Sequence, residues 1–340
     1  MESTNPNTNK KCNLNGNSKN SDLKEFKPVF LTQNPVMKEL LKTVNQVART
    51  NASVLITGES GTGKEVIAQL IHFNSKRKDK AFIAVNCGAI PKDIIESELF
   101  GHEKGAFTGA ISRKEGCFEM ANSGTLFFDE IAEMSSNMQV KLLRAVEVSA
   151  FRRVGGSKEV KVDVRLIAAT NKNLKNGMEE GLFREDLFYR LSVMEIYIPP
   201  LRQRKDDIPL LAEYFLSLYL DKYNLPVKKL SEECMNMMMM YDWPGNVREL
   251  RNVMERLVIV CPDEIVQPKC LPSRISKFEK VVNVRGNIQI PLGTSIEEAE
   301  KTIITHTLAS VDNNISEAAR VLGVSRKTLH NKLNRFSEMS

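Results

Sequence analysis

The chain has 340 residues, 42% of them hydrophobic and 26% charged, with a formal net charge of +6. That composition excludes a disordered or fibrous protein, and the length calls for two or three domains rather than one core. No apolar run approaches a membrane span or a signal core, and the mild basicity permits a nucleic-acid partner without requiring one.

Residues 1–26 are rich in Asn, Ser and Lys and read as a disordered low-complexity tail. From 27 to 200, β-type runs (53–57, 82–86, 125–129, 164–170, 195–198) alternate with helical patterns (35–49, 64–73, 137–147, 184–191). Such alternation predicts an α/β fold with a mainly parallel sheet covered on both faces. Residues 201–262 carry helical periodicity only and read as a helical lid subdomain. The methionine run at 237–240 is core filler there rather than a cofactor box. Residues 263–294 hold Pro268, Pro272 and Pro291 and read as a linker, and 295–340 return to helical periodicity. Cys12, Cys87, Cys117, Cys234, Cys261 and Cys270 form no C-x-x-C pair, which favours reduced thiols in a cytoplasmic protein over a disulfide scaffold or zinc site.

The first chemistry lies in Gly58, Glu59, Ser60, Gly61, Thr62, Gly63 and Lys64, which follow one predicted strand and open a helix. This is a G-x-x-x-x-G-K phosphate loop in its required context. The glycines let backbone N–H groups curl round a phosphate, the helix N-terminus adds partial positive charge, and Lys64 reaches the terminal phosphates. Glu65 stands where the generic motif carries a Ser or Thr hydroxyl for Mg²⁺. Thr125-Leu-Phe-Phe-Asp129-Glu130 supplies the other half, an apolar strand ending in adjacent carboxylates. Asp129 is expected to hold Mg²⁺, and Glu130 to orient and deprotonate the attacking water, which predicts ATP hydrolysis rather than nucleotide binding alone.

Between these motifs lie Glu96-Ser-Glu-Leu-Phe-Gly-His-Glu-Lys and then Gly105, Ala106, Phe107, Thr108, Gly109 and Ala110. Together with the phosphate loop through Glu65 and with Trp243-Pro-Gly-Asn-Val-Arg-Glu-Leu250, this resembles the AAA+ activators of sigma-54 RNA polymerase, the NtrC type. The hexapeptide matches the family's GAFTGA signature without substitution, and Glu65 also fits the family. The resemblance implies that Phe107 and Thr108 are a tip gripping the sigma factor, and that a second loop around 151–156 moves with it. It implies that Asn86 holds Glu130 away from water until the nucleotide state changes, and that Asn171 polarises the water or reads the γ-phosphate. It implies that Arg184 and Arg190 are fingers inserted into a neighbouring subunit, and that Arg248 swings the lid with bound nucleotide. His102 reads as a hydrogen-bonding loop residue rather than a catalyst.

Residues 315–336 have a helix–turn–helix pattern: Ile315, Ala319 and Leu322 inward, Gly323 at the turn, Ser325 as cap, then Leu329, Leu333 and Phe336 inward. Arg326, Lys327, Thr328, His330, Asn331, Lys332 and Asn334 are left for DNA, with no acid between Arg320 and Arg335. The resemblance here is to the Fis-type DNA-binding domain, with 296–308 as a dimerising helix. The expectation is therefore a homo-oligomeric ATPase, hexamer or heptamer, that remodels sigma-54 polymerase from an upstream DNA site and has no membrane partner. The alternative is a regulator of the same fold that acts without sigma-54. Another AAA+ machine and a non-enzymatic repressor are weaker rivals. No input domain is expected within residues 1–26, which leaves control to a separate regulatory protein, to expression level or to a domain beyond this sequence.

Overall fold

A computed structural model of the protein describes residues 28–276, 290, 293–311 and 314–338. The expected tail at 1–26 and most of the expected linker's second half lie outside the described residues. The chain forms two compact units, one from residues up to 228 together with 242–264, the other from 229–241 together with 265 onward.

The first unit opens with α1 (Pro35–Ala48), whose N-cap Asn34 accepts from the N–H groups of Val36 and Met37 while Pro35 occupies the first turn. There follow β1 (Val54–Thr57), α2 (Lys64–Phe73), β2 (Phe82–Asn86), α3 (Ile95–Phe100), α4 (Cys117–Met120) and β3 (Thr125–Asp129). Next come α5 (Ser136–Val148), β4 (Ala150–Arg152), β5 (Glu159–Lys161), β6 (Arg165–Thr170), α6 (Leu174–Glu179), α7 (Glu185–Leu191) and β7 (Met194–Tyr197). Five strands make one sheet in the order β2-β3-β6-β1-β7, and every neighbouring pair is parallel. β4 and β5 pair separately as an antiparallel hairpin.

Strand residues alternate between two cores, as period-2 side chains must in a sheet covered on both faces. Leu126 and Phe128 of β3 join Leu55, Val85, Leu99, Phe118 and Leu142 on one face. Phe127 joins Ile56, Ile67, Ile71, Ile167 and Met37 on the other. Leu126, Phe127 and Phe128 of β3 are essentially sealed from water, which contributes roughly 1.5–3 kcal/mol apiece. With all five strands parallel, their carboxyl ends lie along one edge. The phosphate loop, Asn86, Asp129-Glu130 and Asn171 all begin there.

Two further helices complete the first unit, α8 (Asp207–Tyr223) and, beyond the next segment, α10 (Asn246–Val260), packed against each other. The second unit contains β8 (Lys229–Leu230), α9 (Glu232–Met240), β9 (Ile265–Val266), α11 (Ser273–Ser276), α12 (Ile296–Ser310), α13 (Ile315–Leu322) and α14 (Arg326–Glu338). Its last three helices pack on one small core of Ile304, Ala318, Ala319 and Leu329. Ser295 and Glu298 form a capping box on α12. Among the described residues no helix is long and apolar enough to cross a membrane.

Candidate functional site

The loop between β1 and α2 reverses direction through left-handed backbone at Gly61 (φ 81°) and Gly63 (φ 105°). Glycine is required at Gly61, because a Cβ there would collide with the Gly245 carbonyl. The backbone N–H groups of Gly61, Gly63 and Lys64 have no acceptor among the described residues, so they are available to an anion at the start of α2. Lys64 is buried, and its Nζ donates to the Gly58 carbonyl at 2.8 Å and the Glu59 carbonyl at 3.2 Å. Burial lowers its pKa, opposed by the carboxylates of Glu130 and Asp129.

The two carboxylates stand at the end of β3, in register with Asn86 on β2. Glu130 Oε1 lies 3.9 Å from Lys64 Nζ, and Glu130 Oε2 accepts from the Asn171 N–H at 3.3 Å. Lys64, Asp129, Glu130 and Asn171 are thus brought together. The resemblance pairs Asn86 with Glu130; in the structure its amide donates to Asp129 Oδ2 at 3.3 Å, and its oxygen accepts from the Gly88 and Ala89 N–H groups. Behind them Cys87 is buried, and desolvation together with the two carboxylates pushes its thiol up to about 12.

As oxygen donors, Asp129 and its neighbours suit a hard cation. Among the described residues, however, no cluster of three or more metal-ligating side chains exists to hold one alone. The residues present fit Mg²⁺ that arrives with phosphate oxygens completing its shell.

Three residues of the lid side reach the loop, and the sequence had singled out only one of them. Arg248 Nη1 donates to Ser60 Oγ at 2.9 Å. Asn246 is fully buried; its amide donates to Glu59 Oε2 (3.1 Å) and the Ser60 carbonyl (3.0 Å), and its oxygen accepts from the Leu201 N–H (2.7 Å). Arg202 grips Glu59 with two bonds and is the main reason the Glu59 carboxyl is held down to about 2. Asn246 lay inside the Trp243–Leu250 motif, so it could have been found there. Arg202 carries no local signal.

Arg184 is the N-cap of α7 and Arg190 lies in its last turn; among the described residues neither bonds this chain's own phosphate loop. Arg184 pairs with Asp186 at 2.7 Å, which raises its pKa, and Arg190 reaches the Val146 carbonyl at 3.3 Å.

The Gly105–Ala110 segment is a tight turn closed by Gly105 N–H to Ala110 O (2.8 Å) and Ala110 N–H to Phe107 O (3.0 Å). Gly105 and Gly109 both have left-handed backbone, with open space where a Cβ would be. Phe107 is 44% exposed and sets its ring edge against His102 at 5.0 Å. His102 in turn bonds Ser97 Oγ through Nδ1 at 2.7 Å. The loop at 152–156 is clasped to this turn. Glu103 N–H donates to Val154 O (3.1 Å), and a Cβ on Gly155 would press on Ala106 Cβ at 2.7 Å. Buried Arg153 bonds both Glu103 and Glu119.

In the second unit, Gly323 ends α13 in left-handed backbone, and Ser325 Oγ accepts from the Thr328 N–H that opens α14. Ala318 and Ala319 are the sealed residues of α13, with Ile315 and Leu322 packed beside them. Leu329 is buried, while Arg326, Lys327, Thr328, His330 and Asn331 are exposed. Lys332 departs from the expected outward set: its Nζ bonds Glu300 of α12 at 2.5 Å. The side chain of Asn334 lies outside the described residues.

A profile described as a sigma-54 interaction domain matches residues 30–197, an AAA+ ATPase lid domain matches 202–285, and a bacterial regulatory protein, Fis family, matches 295–336. The chain is 44% identical to the nitrogen fixation protein AnfA of Azotobacter vinelandii, covering 95% of this chain and 60% of AnfA. It is 45% identical to the regulatory protein AtoC of Escherichia coli K12, covering 90% and 67% respectively. A signal-transduction and transcriptional-control protein of Clostridium beijerinckii is 48% identical, covering 91% of this chain and 48% of that protein. The chain thus spans between about half and two thirds of these relatives. A crystal structure of NtrX from Brucella abortus in complex with ADP superposes with a TM-score of 0.69 at 37% identity, covering 91% of this chain and 70% of NtrX.

Proposed function

The chain belongs to the sigma-54-dependent AAA+ activators, and from this we propose that it uses ATP hydrolysis in a homo-oligomeric ring to remodel sigma-54 RNA polymerase. The observation that carries the reading is the convergence of Lys64, Asp129, Glu130 and Asn171 on one sheet edge, with Glu130 bound to the Asn171 N–H at 3.3 Å. A terminal phosphate entering the loop competes for Lys64, now held by two carbonyls and facing Glu130. That competition frees the Glu130 carboxylate to take a proton from water. Mg²⁺ neutralises charge on the phosphates when bound, and Asp129 is the residue that would hold it. Arg184 and Arg190 act on the neighbouring protomer's site, so turnover depends on assembly. The exposed face of α14, with Arg326, Lys327, Thr328, His330 and Asn331, reads double-stranded DNA upstream of the promoter.

The rival reading, a regulator of the same fold that acts without sigma-54, leaves the GAFTGA turn without work. An exposed Phe107 on a two-glycine hinge favours the first reading. Thr108→Ala decides between them, because Thr108 touches no phosphate ligand. ATPase activity and ring formation are expected to stay near native, while open-complex formation on a sigma-54 promoter disappears. Promoter opening at the native rate would remove the sigma-54 contact from this loop.

A further inference from the structure

Gln139 sits in the first turns of α5, fully buried, with both ends of its amide engaged. Its Nε2 donates to the Met134 carbonyl at 2.9 Å and to the Leu182 carbonyl at 3.0 Å. Its Oε1 accepts from the Arg184 N–H at 2.9 Å. Met134 belongs to the turn that leaves Glu130: Glu133 N–H bonds Glu130 O at 2.9 Å, and Met134 N–H bonds Ile131 O at 3.1 Å. A path of hydrogen bonds joined by the main chain of Met134 therefore runs from the turn beside the hydrolytic carboxylate, through Gln139, to the backbone of Arg184. A buried primary amide is suited to this, since one side chain supplies donors to two segments and an acceptor to a third. The Arg184 guanidinium is not part of the path. It lies half-exposed beside Asp186, free to leave for another site.

We infer that Gln139 is a positioning residue that couples a protomer's own catalytic turn to the finger it presents to its neighbour. This rests on the reading of Arg184 as acting in trans. Gln139 ties Met134 O to Arg184 N, so the position of the finger's backbone is set by the position of the Glu130 turn. Nucleotide binding in the same protomer is untouched, because none of the hydrogen bonds of Gln139 goes to the phosphate loop or to Lys64.

The test uses the whole 340-residue chain. Gln139→Met keeps side-chain length and loses all three bonds; Gln139→Glu keeps the acceptor for Arg184 N–H but cannot donate to Met134 or Leu182. Both are expected to lower kcat on the order of 100-fold, the effect of displacing a catalytic group by about an ångström, with ATP affinity unchanged. If Gln139→Met does not fold, Gln139→Glu carries the test.

Mixed rings then separate position from general damage. A Gln139 variant mixed with Lys64→Ala is expected to regain activity, because Lys64→Ala protomers bind no nucleotide yet still present intact fingers. The same variant mixed with Arg184→Ala is expected to regain none, since neither protomer offers a working finger. Arg184→Ala mixed with Lys64→Ala is the control, and failure of that pair alone to recover overturns the trans reading of the finger. If the control recovers and the Gln139 variant with Lys64→Ala does not, or if the variant keeps native kcat, the coupling role is refuted.

Discussion

Asn246→Ala tests the joint between the phosphate loop and α10. Asn246 has left-handed backbone (φ 51°), which asparagine tolerates better than alanine, and no exposed surface. Truncation removes its bonds to Leu201 N–H, Ser60 O and Glu59 Oε2, and leaves the first two groups without that partner. An orphaned buried polar group costs roughly 1–3 kcal/mol. Two such groups, partly relieved by water entering the gap, put the loss at about 2–4 kcal/mol. For a unit of this size each kcal/mol moves Tm by about 2–4 °C, so a fall of roughly 5–15 °C is expected. The bond to Glu59 contributes less, because Arg202 keeps that carboxylate paired. Differential scanning calorimetry of the full chain without nucleotide measures the effect. Titration with ATP should also show weakened binding, since Ser60 loses the contact that fixes its carbonyl. A Tm within about 1 °C of native would refute the claim that Asn246 holds the loop to the lid.

Glu130→Ala should retain ATP affinity while hydrolysis falls on the order of 100-fold or more, whereas Lys64→Ala should lose nucleotide binding itself; isothermal titration and phosphate release measured side by side check both, and native turnover by Glu130→Ala would sink the assignment. His72 is expected to make stability fall with acid. Its ring is buried between Phe73 and Phe82 with Nδ1 on Thr125 Oγ1, and burial lowers its pKa from 6.5 to about 4. The unfolded chain therefore binds the extra proton first. The stabilisation is complete above about pH 6.5 and is lost progressively towards pH 4, a total on the order of 3 kcal/mol. Urea unfolding at several pH values, for the native chain and for His72→Phe, measures it; equal slopes in the two proteins would refute it.

The parts legible in the sequence are those whose signal is local. The phosphate loop, the β3 strand and the GAFTGA turn each carry their chemistry within a few consecutive residues, and the structure sets the first two on one sheet edge. The helix–turn–helix was readable from period and caps, yet Lys332 was assigned outward because its pairing with Glu300 spans 32 residues. Arg202 and Gln139 were invisible for the same reason: each is ordinary in its own helix or turn, and acquires meaning from partners 143 residues away (Glu59) and 45 residues away (Arg184). The β4–β5 hairpin escaped because three-residue strands carry too few side chains to show a period. Arg165 reads as a strand's polar start, but its guanidinium is sealed and bonds the Val47 and Ala48 carbonyls at the end of α1.

Rigidity and freedom are divided along the chain in a way that suits a machine. Glu130 is a non-glycine residue with left-handed backbone (φ 52°, ψ 49°), a conformation costing on the order of 1–3 kcal/mol. It is held there by its own N–H on Asp129 Oδ1 and by Glu133 N–H on its carbonyl. That turn redirects the chain out of β3, so that the carboxylate meets Lys64 and Asn171 instead of continuing the strand. The GAFTGA turn has the opposite character: two glycines with empty space around them and an aromatic ring held only at its edge by His102. Beneath that turn stands Arg153, which bonds Glu103 at its base and Glu119 of α4, just ahead of the amino end of β3. A displacement of the α4–β3 segment therefore has a stiff, charged route to the base of a loose tip. Stiffness at the tip itself would spend that displacement on bending the loop instead of moving whatever Phe107 and Thr108 touch.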